Sequence, residues 1–253
     1  LKIYVIIYNI IMVEKNLARE EYILLAKLYE NTEKFPLMVE SIIAFVALNP
    51  VLSPEERSLL NTGFKNIIAK QRIAWRELAT RERQEEKNKK VFEYILELRK
   101  EVEQEILNNS DKVLSVLDKY LISNANSNET KAYYLKMKAD FLRYKAEVTV
   151  DSEYEKNHKL SEAAYAEGYK LAETLPISNP IRLGLALNYS VLHYEVKLNK
   201  EEAMKIAKQA YDEAMKIIDD LDKNKSKDTI LIIQLPKENL GLWNNDNEEE
   251  TEI

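Results

Sequence analysis

Apolar residues recur every three to four positions along most of the chain, the period of a helix face rather than of a strand. The pattern predicts two short helices over 21–29 and 37–48, parted near Phe35-Pro36, where proline cannot continue the first. Asn49-Pro50 stops the second helix. Ser53-Pro54-Glu55-Glu56 restarts the chain, with Ser53 as N-cap, Pro54 at the first helical position and Glu56 closing a capping box. A long helix should follow to about residue 86, and another from about 89 to 122, ending in the turn-forming run Ser123-Asn124-Ala125-Asn126-Ser127-Asn128. Further helices are predicted over 129–149, 158–174, 179–198, 200–221 and 226–243. About nine helices with short links make an all-α antiparallel array.

The two ends break this pattern. Residues 1–13 are apolar apart from Lys2 and Asn9, and rich in Ile, Val and Tyr, which suits a strand or an edge better than a helix face. The run is too short to span a bilayer, and no small-residue cleavage site follows it. Residues 1–11 are therefore read as an atypical apolar extension, 12–243 as a single helical domain, and the acidic residues 244–253 as a disordered tail.

Composition narrows the chemistry. The 253 residues include 4 Gly and 6 Pro, where ordinary usage would give roughly 18 and 13. Turn-rich sandwiches, barrels and doubly wound sheets are disfavoured by that shortage. With no cysteine, disulfides, thiol nucleophiles and Cys-ligated zinc are excluded. A net charge of -6 speaks against wholesale nucleic-acid binding but leaves room for a local basic pocket. His158 and His193 lie far apart, with no spacing that would make a metal site. Gly63, Gly168, Gly184 and Gly241 are isolated, so no glycine-rich phosphate cradle can form. No nucleophile is paired with a base. The expectation is a protein without catalytic residues, cofactor or metal.

Two segments carry cations at converging spacings. Lys65, Arg72 and Arg76 follow i, i+7, i+11, which at about 100° per residue places them on one helix face. Lys136 and Arg143 also stand seven apart, with Tyr144 beside them. Each set suits an ordinary solvated face. If two such faces met, their forks and a tyrosine hydroxyl would suit a dianionic phosphoserine or phosphothreonine. Leu187, Asn188, Val191 and Glu195 form a mixed stripe on another helix, and Leu235, Asn239 and Leu242 form a similar one near the end. Amides in apolar stripes either bond neighbouring helices or grip the backbone of an extended peptide beside the leucines and Val191.

The strings Tyr134-Leu135-Lys136-Met137-Lys138, 179–195 and 231–243, together with the Lys65–Arg76 segment, resemble the 14-3-3 family of phosphopeptide-binding adaptors over about 13–243. The resemblance implies a protomer of nine antiparallel helices around a concave groove, usually dimeric, that binds phosphoserine or phosphothreonine segments in an extended conformation. Carried onto this chain, Lys65, Arg72, Arg143 and Tyr144 would hold the phosphate. Asn188 and Asn239 would bond the ligand backbone, with Glu195 and Lys136 close by. Leu187, Val191, Leu231, Ile232, Leu235, Leu242 and Trp243 would form the apolar side.

The chain also departs from the family pattern. Pro236 stands where the family has leucine, and with Gly241 it should displace the apolar wall and alter sequence preference. Ala74 stands where many members carry a phosphorylatable serine, so that switch should be missing. The resemblance implies that Glu21–Lys90 and Lys34–Glu105 could bridge subunits, whereas Leu37 and Glu101 could not attract. Such pairs contribute about 0–1 kcal/mol each, so apolar contacts must decide the expected homodimer, whose geometry Pro36 could alter. Thr251 in the acidic tail, if phosphorylated, could dock in the groove and compete with phosphorylated clients; the plainer reading is a solvated tail. A cytoplasmic signalling adaptor is expected, with no nucleic-acid or membrane partner. The alternative is a tetratricopeptide-like scaffold for unmodified peptides, although no clean repeat of about 34 residues is present.

Overall fold

A computed structural model describes residues 17–85, 88–195, 199–216, 238–241 and 243. Within them the chain forms α1 (Arg19–Asn31), α2 (Phe35–Leu48), α3 (Pro54–Gln84), α4 (Lys89–Val116), α5 (Asn128–Glu147), α6 (Asp151–Ala172), α7 (Pro180–Glu195) and α8 (Lys200–Met215). A π-helical turn, Leu117–Leu121, continues α4, and residues 238–241 are also helical. No strand occurs among the described residues, so the all-α expectation holds. The apolar extension at 1–11, the acidic tail with Thr251, and most of the predicted last helix lie outside the described residues.

Local chemistry accounts for the helix starts. Ser53 Oγ accepts from the Glu56 amide at 3.3 Å, and the Ser53 amide donates back to Glu56 Oε2 at 2.7 Å, completing the capping box the sequence spells. Ser127 and Asn199 cap α5 and α8 by accepting from the Thr130 and Glu202 amides. Most boundaries fall within one to three residues of expectation; the largest departure is α6, which begins at Asp151, not at 158. Its first six residues are all exposed, so no apolar period marks them. Asp151 and Glu153 nevertheless suit the positive end of the helix dipole.

The chain divides into two compact units, Leu1–Glu105 and Ile106–Ile253. In the first, α2 buries Met38, Val39, Ile42, Phe45 and Val46, and α3 buries Leu59, Leu60, Gly63, Phe64 and Ile68. Arg19 ties α1 to α3 through Glu56 at 2.7 Å and lies over the Phe45 ring at 5.6 Å. The indole of Trp75 donates to Glu103 at 3.0 Å, and Arg99 pairs with Glu82 and Glu103, which joins α3 to the middle of α4.

In the second unit α5 is the central helix. Eleven of its residues are buried, among them Tyr134, Met137, Asp140 and Phe141, so it is enclosed on several sides. Ser161 Oγ of α6 donates to the Ala139 carbonyl of α5 at 2.9 Å. Gly168 lets α6 press against its neighbours: a Cβ there would lie 3.3 Å from Leu135 Cβ and 3.2 Å from Leu185 Cδ2. Arg182 joins α7 to α8 through Glu213 at 2.7 Å and also caps the end of α6 through the Glu173 and Leu175 carbonyls.

Candidate functional site

The polar cluster of the second unit is built around a carboxylate. Asp140 lies on α5, four residues after Lys136 and three before Arg143, so all three share one helix face. It is 4% exposed. Lys136 Nζ donates to its Oδ2 at 2.8 Å. Asn188 Nδ2, reaching across from α7, donates to Oδ1 at 2.7 Å. The Tyr165 hydroxyl of α6 donates to the same oxygen, and Arg143 Nη2 stands 3.7 Å from it. Arg143 Nε in turn donates to the Tyr165 oxygen at 3.4 Å, and its guanidinium lies 5.1 Å from the Tyr144 ring centroid. Three helices therefore meet on one carboxylate.

The electrostatics follow from burial and charge. Burial alone would raise the Asp140 carboxyl, but the charges of Lys136 and Arg143, helped by hydrogen bonds from Lys136 and Tyr165, overcome it and bring the pKa down to about 2. Tyr165 is pushed well above its ordinary value, first by burial and then by Asp140, and so stays a neutral donor. Burial opposes the charge on Arg143, yet the neighbouring Tyr165 and Asp140 raise its pKa beyond the ordinary guanidinium value. Lys136 and Arg143 against Asp140 leave the cluster one positive charge in excess. Their side chains keep 21% and 23% of their surface, so the excess reaches solvent where an anion could meet it.

Of the residues picked out in the sequence, Lys136, Arg143, Tyr144 and Asn188 are brought together here. Gly184, one turn before Asn188 on α7, leaves space for the Lys136 stem: a Cβ there would come within 3.3 Å of its Cε. Leu187 and Val191 are half-buried on α7, and Val191 packs against the core of Ala203, Ala207 and Trp243. Trp243, expected on an apolar wall, is 6% exposed and stacks on Tyr194 with ring centroids 4.5 Å apart. Asn239 is half-buried in its short helical stretch. Lys65 and Arg72 stand on α3 of the first unit, Lys65 exposed and Arg72 half-buried. Leu231, Ile232, Leu235, Pro236 and Leu242, and the side chain of Glu195, lie outside the described residues.

Sequence reasoning passed over Asp140 and Tyr165. Asp140 could have been found, because a carboxylate placed i+4 from a lysine and i-3 from an arginine is a helix-surface pairing pattern. Tyr165 stands 25 residues from Asp140, and no local spacing points to it. His158 and His193 are ring-packing groups, against Tyr154 and Tyr189. Among the described residues no group of three or more His, Asp or Glu could hold a metal ion.

A family profile described as 14-3-3 protein matches residues 25–244. The chain belongs to the 14-3-3 family. It is 42% identical over 232 residues to Protein BMH2 of Saccharomyces cerevisiae, spanning 90% of this chain and 85% of the relative. It is 39% identical over 237 residues to 14-3-3 protein eta of Homo sapiens, spanning 92% and 96%. A third relative, 14-3-3 protein 3 of Entamoeba histolytica, is 39% identical over 236 residues, spanning 92% and 98%. Membership of the 14-3-3 family supports a role as a phosphopeptide-binding adaptor, and the helical architecture agrees with it.

Proposed function

We propose that this 14-3-3 chain is a non-catalytic cytoplasmic adaptor that holds phosphoserine or phosphothreonine segments of partner signalling proteins in an extended conformation. The observation that carries the reading is the net positive cluster on α5, where Arg143 and Lys136 are held by one buried carboxylate beside Asn188 in a 14-3-3 sequence. In this reading Arg143 and Tyr144 take the phosphate together with Lys65 and Arg72, and 12–243 works as one functional domain. Asn188 and Asn239 bond the ligand backbone, flanked by Lys136 and Glu195. Leu187, Val191, Leu235, Leu242 and the neighbourhood of Trp243 form the apolar side, and Pro236 tunes its sequence preference.

The chain acts as a homodimer in this proposal, formed through the first unit. Leu24 and Leu28 make an outward i, i+4 apolar stripe on α1, at 58% and 50% exposed. Tyr94 and Leu98 make another on α4, and Ile73 is 68% exposed on α3. Solvent-facing leucines at helical spacing suit a partner surface. Phosphorylated Thr251 would dock in the groove of its own or a neighbouring subunit. Among the described residues no helix is long and apolar enough to cross a membrane.

The test is binding of a degenerate phosphoserine peptide pool against the same pool unphosphorylated. Retention of the phosphorylated pool alone is expected, and it should fade below about pH 6 as the phosphate loses its second charge. Arg72→Ala and Arg143→Ala should each cost roughly 1.5–3 kcal/mol, since each removes a charge-assisted partner of the phosphate. Equal binding of both pools would overturn the adaptor reading in favour of a scaffold for unmodified peptides.

A further inference from the structure

We propose that Asp140 and Tyr165 are positioning residues of the phosphopeptide site: a buried pair that takes no ligand itself but aims Arg143, Lys136 and Asn188 at one. The inference rests on the adaptor reading and adds to it the parts that hold the binding residues in place. Tyr165 is fully buried on α6 and Asp140 is 4% exposed on α5. Both lie beside Lys136 and Arg143, which keep 21% and 23% of their side-chain surface for a guest.

The bonds have a direction. The Tyr165 hydroxyl gives its hydrogen to Asp140 and receives Arg143 Nε at 3.4 Å. This fixes the plane of the guanidinium, whose forked geometry is useful to a phosphate only when held still. The same carboxylate takes the Nδ2 hydrogen of Asn188 at 2.7 Å and so orients an amide carried by a different helix. Lys136 is drawn to Oδ2 at 2.8 Å, its stem lying in the space Gly184 leaves. A flexible lysine, an arginine and an amide from two helices are thereby ordered before any ligand arrives, which lowers the ordering cost of binding.

Simple electrostatics makes the opposite forecast for one variant. Asp140→Asn removes a negative charge beside the cations and would strengthen anion binding if the local field were all that mattered. Positioning predicts weaker binding, because Lys136 and Arg143 then repel one another without a shared anchor and Asn188 can turn. Tyr165→Phe removes one oxygen and leaves every formal charge in place.

The experiment uses the full chain and the tightest phosphoserine peptide selected from the pool above, labelled with fluorescein and read by anisotropy. Thermal melts run alongside. Tyr165→Phe and Asp140→Asn should each weaken binding by roughly three- to thirty-fold. In an Arg143→Ala background, Tyr165→Phe should add less than about twofold, because its effect travels through the guanidinium. A merely structural tyrosine would lose the same factor in both backgrounds, and that result would overturn the proposal. So would wild-type or tighter binding by either variant. Should Asp140→Asn fail to fold, the Tyr165→Phe cycle decides between positioning and structure alone. A wild-type chain that does not distinguish phosphorylated from unphosphorylated peptide fails the adaptor reading instead, a separate result.

Discussion

Asp140 is the residue on which most of the local chemistry turns. Its carboxyl, ordinarily near 3.8, is brought to about 2 although burial works the other way, so the attraction of Lys136 and Arg143 outweighs the desolvation of the carboxylate. A depressed carboxyl stabilises the fold above its unfolded pKa, and that contribution is lost as pH falls through the folded one. The window runs from about pH 4 down to about 2. Denaturant melts should show wild type losing about 2 kcal/mol more than Asp140→Asn between pH 6 and that range. Equal losses would mean that the ionised carboxylate is not preferred in the fold. The residues flanking Asp140 could be picked out as cations at helical spacing, but spacing does not tell whether they face water or share a counter-ion.

Helices were largely legible one by one. The capping box at Ser53, the proline at the first position of α3 and the asparagine-rich stop after residue 122 all act through neighbours within four residues, so the chain announces them locally. The early start of α6 was hidden because an exposed first turn carries no apolar period. How closely two helices approach was hidden as well, since it depends on which side chain meets the gap. Gly63 of α3 faces α2, where an added Cβ would stand 3.0 Å from Ile42 Cδ1 and 3.3 Å from Val39 Cγ2. Ile42 can swing its terminal methyl, but the β-branched Val39 is stiff at χ1. Gly63→Ala would gain about 1 kcal/mol in helix propensity and lose about 1–3 to overpacking, a net loss of about 1 kcal/mol. Among the described residues nothing lies within 4 Å of a Cβ added at Gly241, so Gly241→Ala should stabilise by about 1 kcal/mol. The two changes should shift thermal midpoints in opposite directions; a rise for Gly63→Ala would show that α2 and α3 are not in close contact at Gly63.

Assembly is a matter for the whole molecule. The outward leucines of α1 and the exposed Tyr94 and Leu98 of α4 leave apolar surface in the first unit, while the ion pairs the resemblance suggested for a subunit contact are each weak. Glu105, one of those proposed partners, already receives Gln71 at 2.9 Å within the chain. In the proposed dimer the apolar stripes are therefore the part that drives association. Sedimentation at micromolar concentration should show a dimer, and Leu24→Lys with Leu28→Lys should return it to monomer. A wild-type monomer at that concentration would refute the dimer.

Residue order alone specified the helical class, the starts and stops of individual helices, and the cation, amide and leucine spacings that resemble the 14-3-3 family. Each of these depends on contacts within a turn or two of helix, where geometry repeats and can be counted. The long-range partners of Asp140 could not be counted in that way. Asp140 meets Tyr165 across 25 residues and Asn188 across 48, and only the packing of α5 against α6 and α7 turns these two side chains toward the carboxylate.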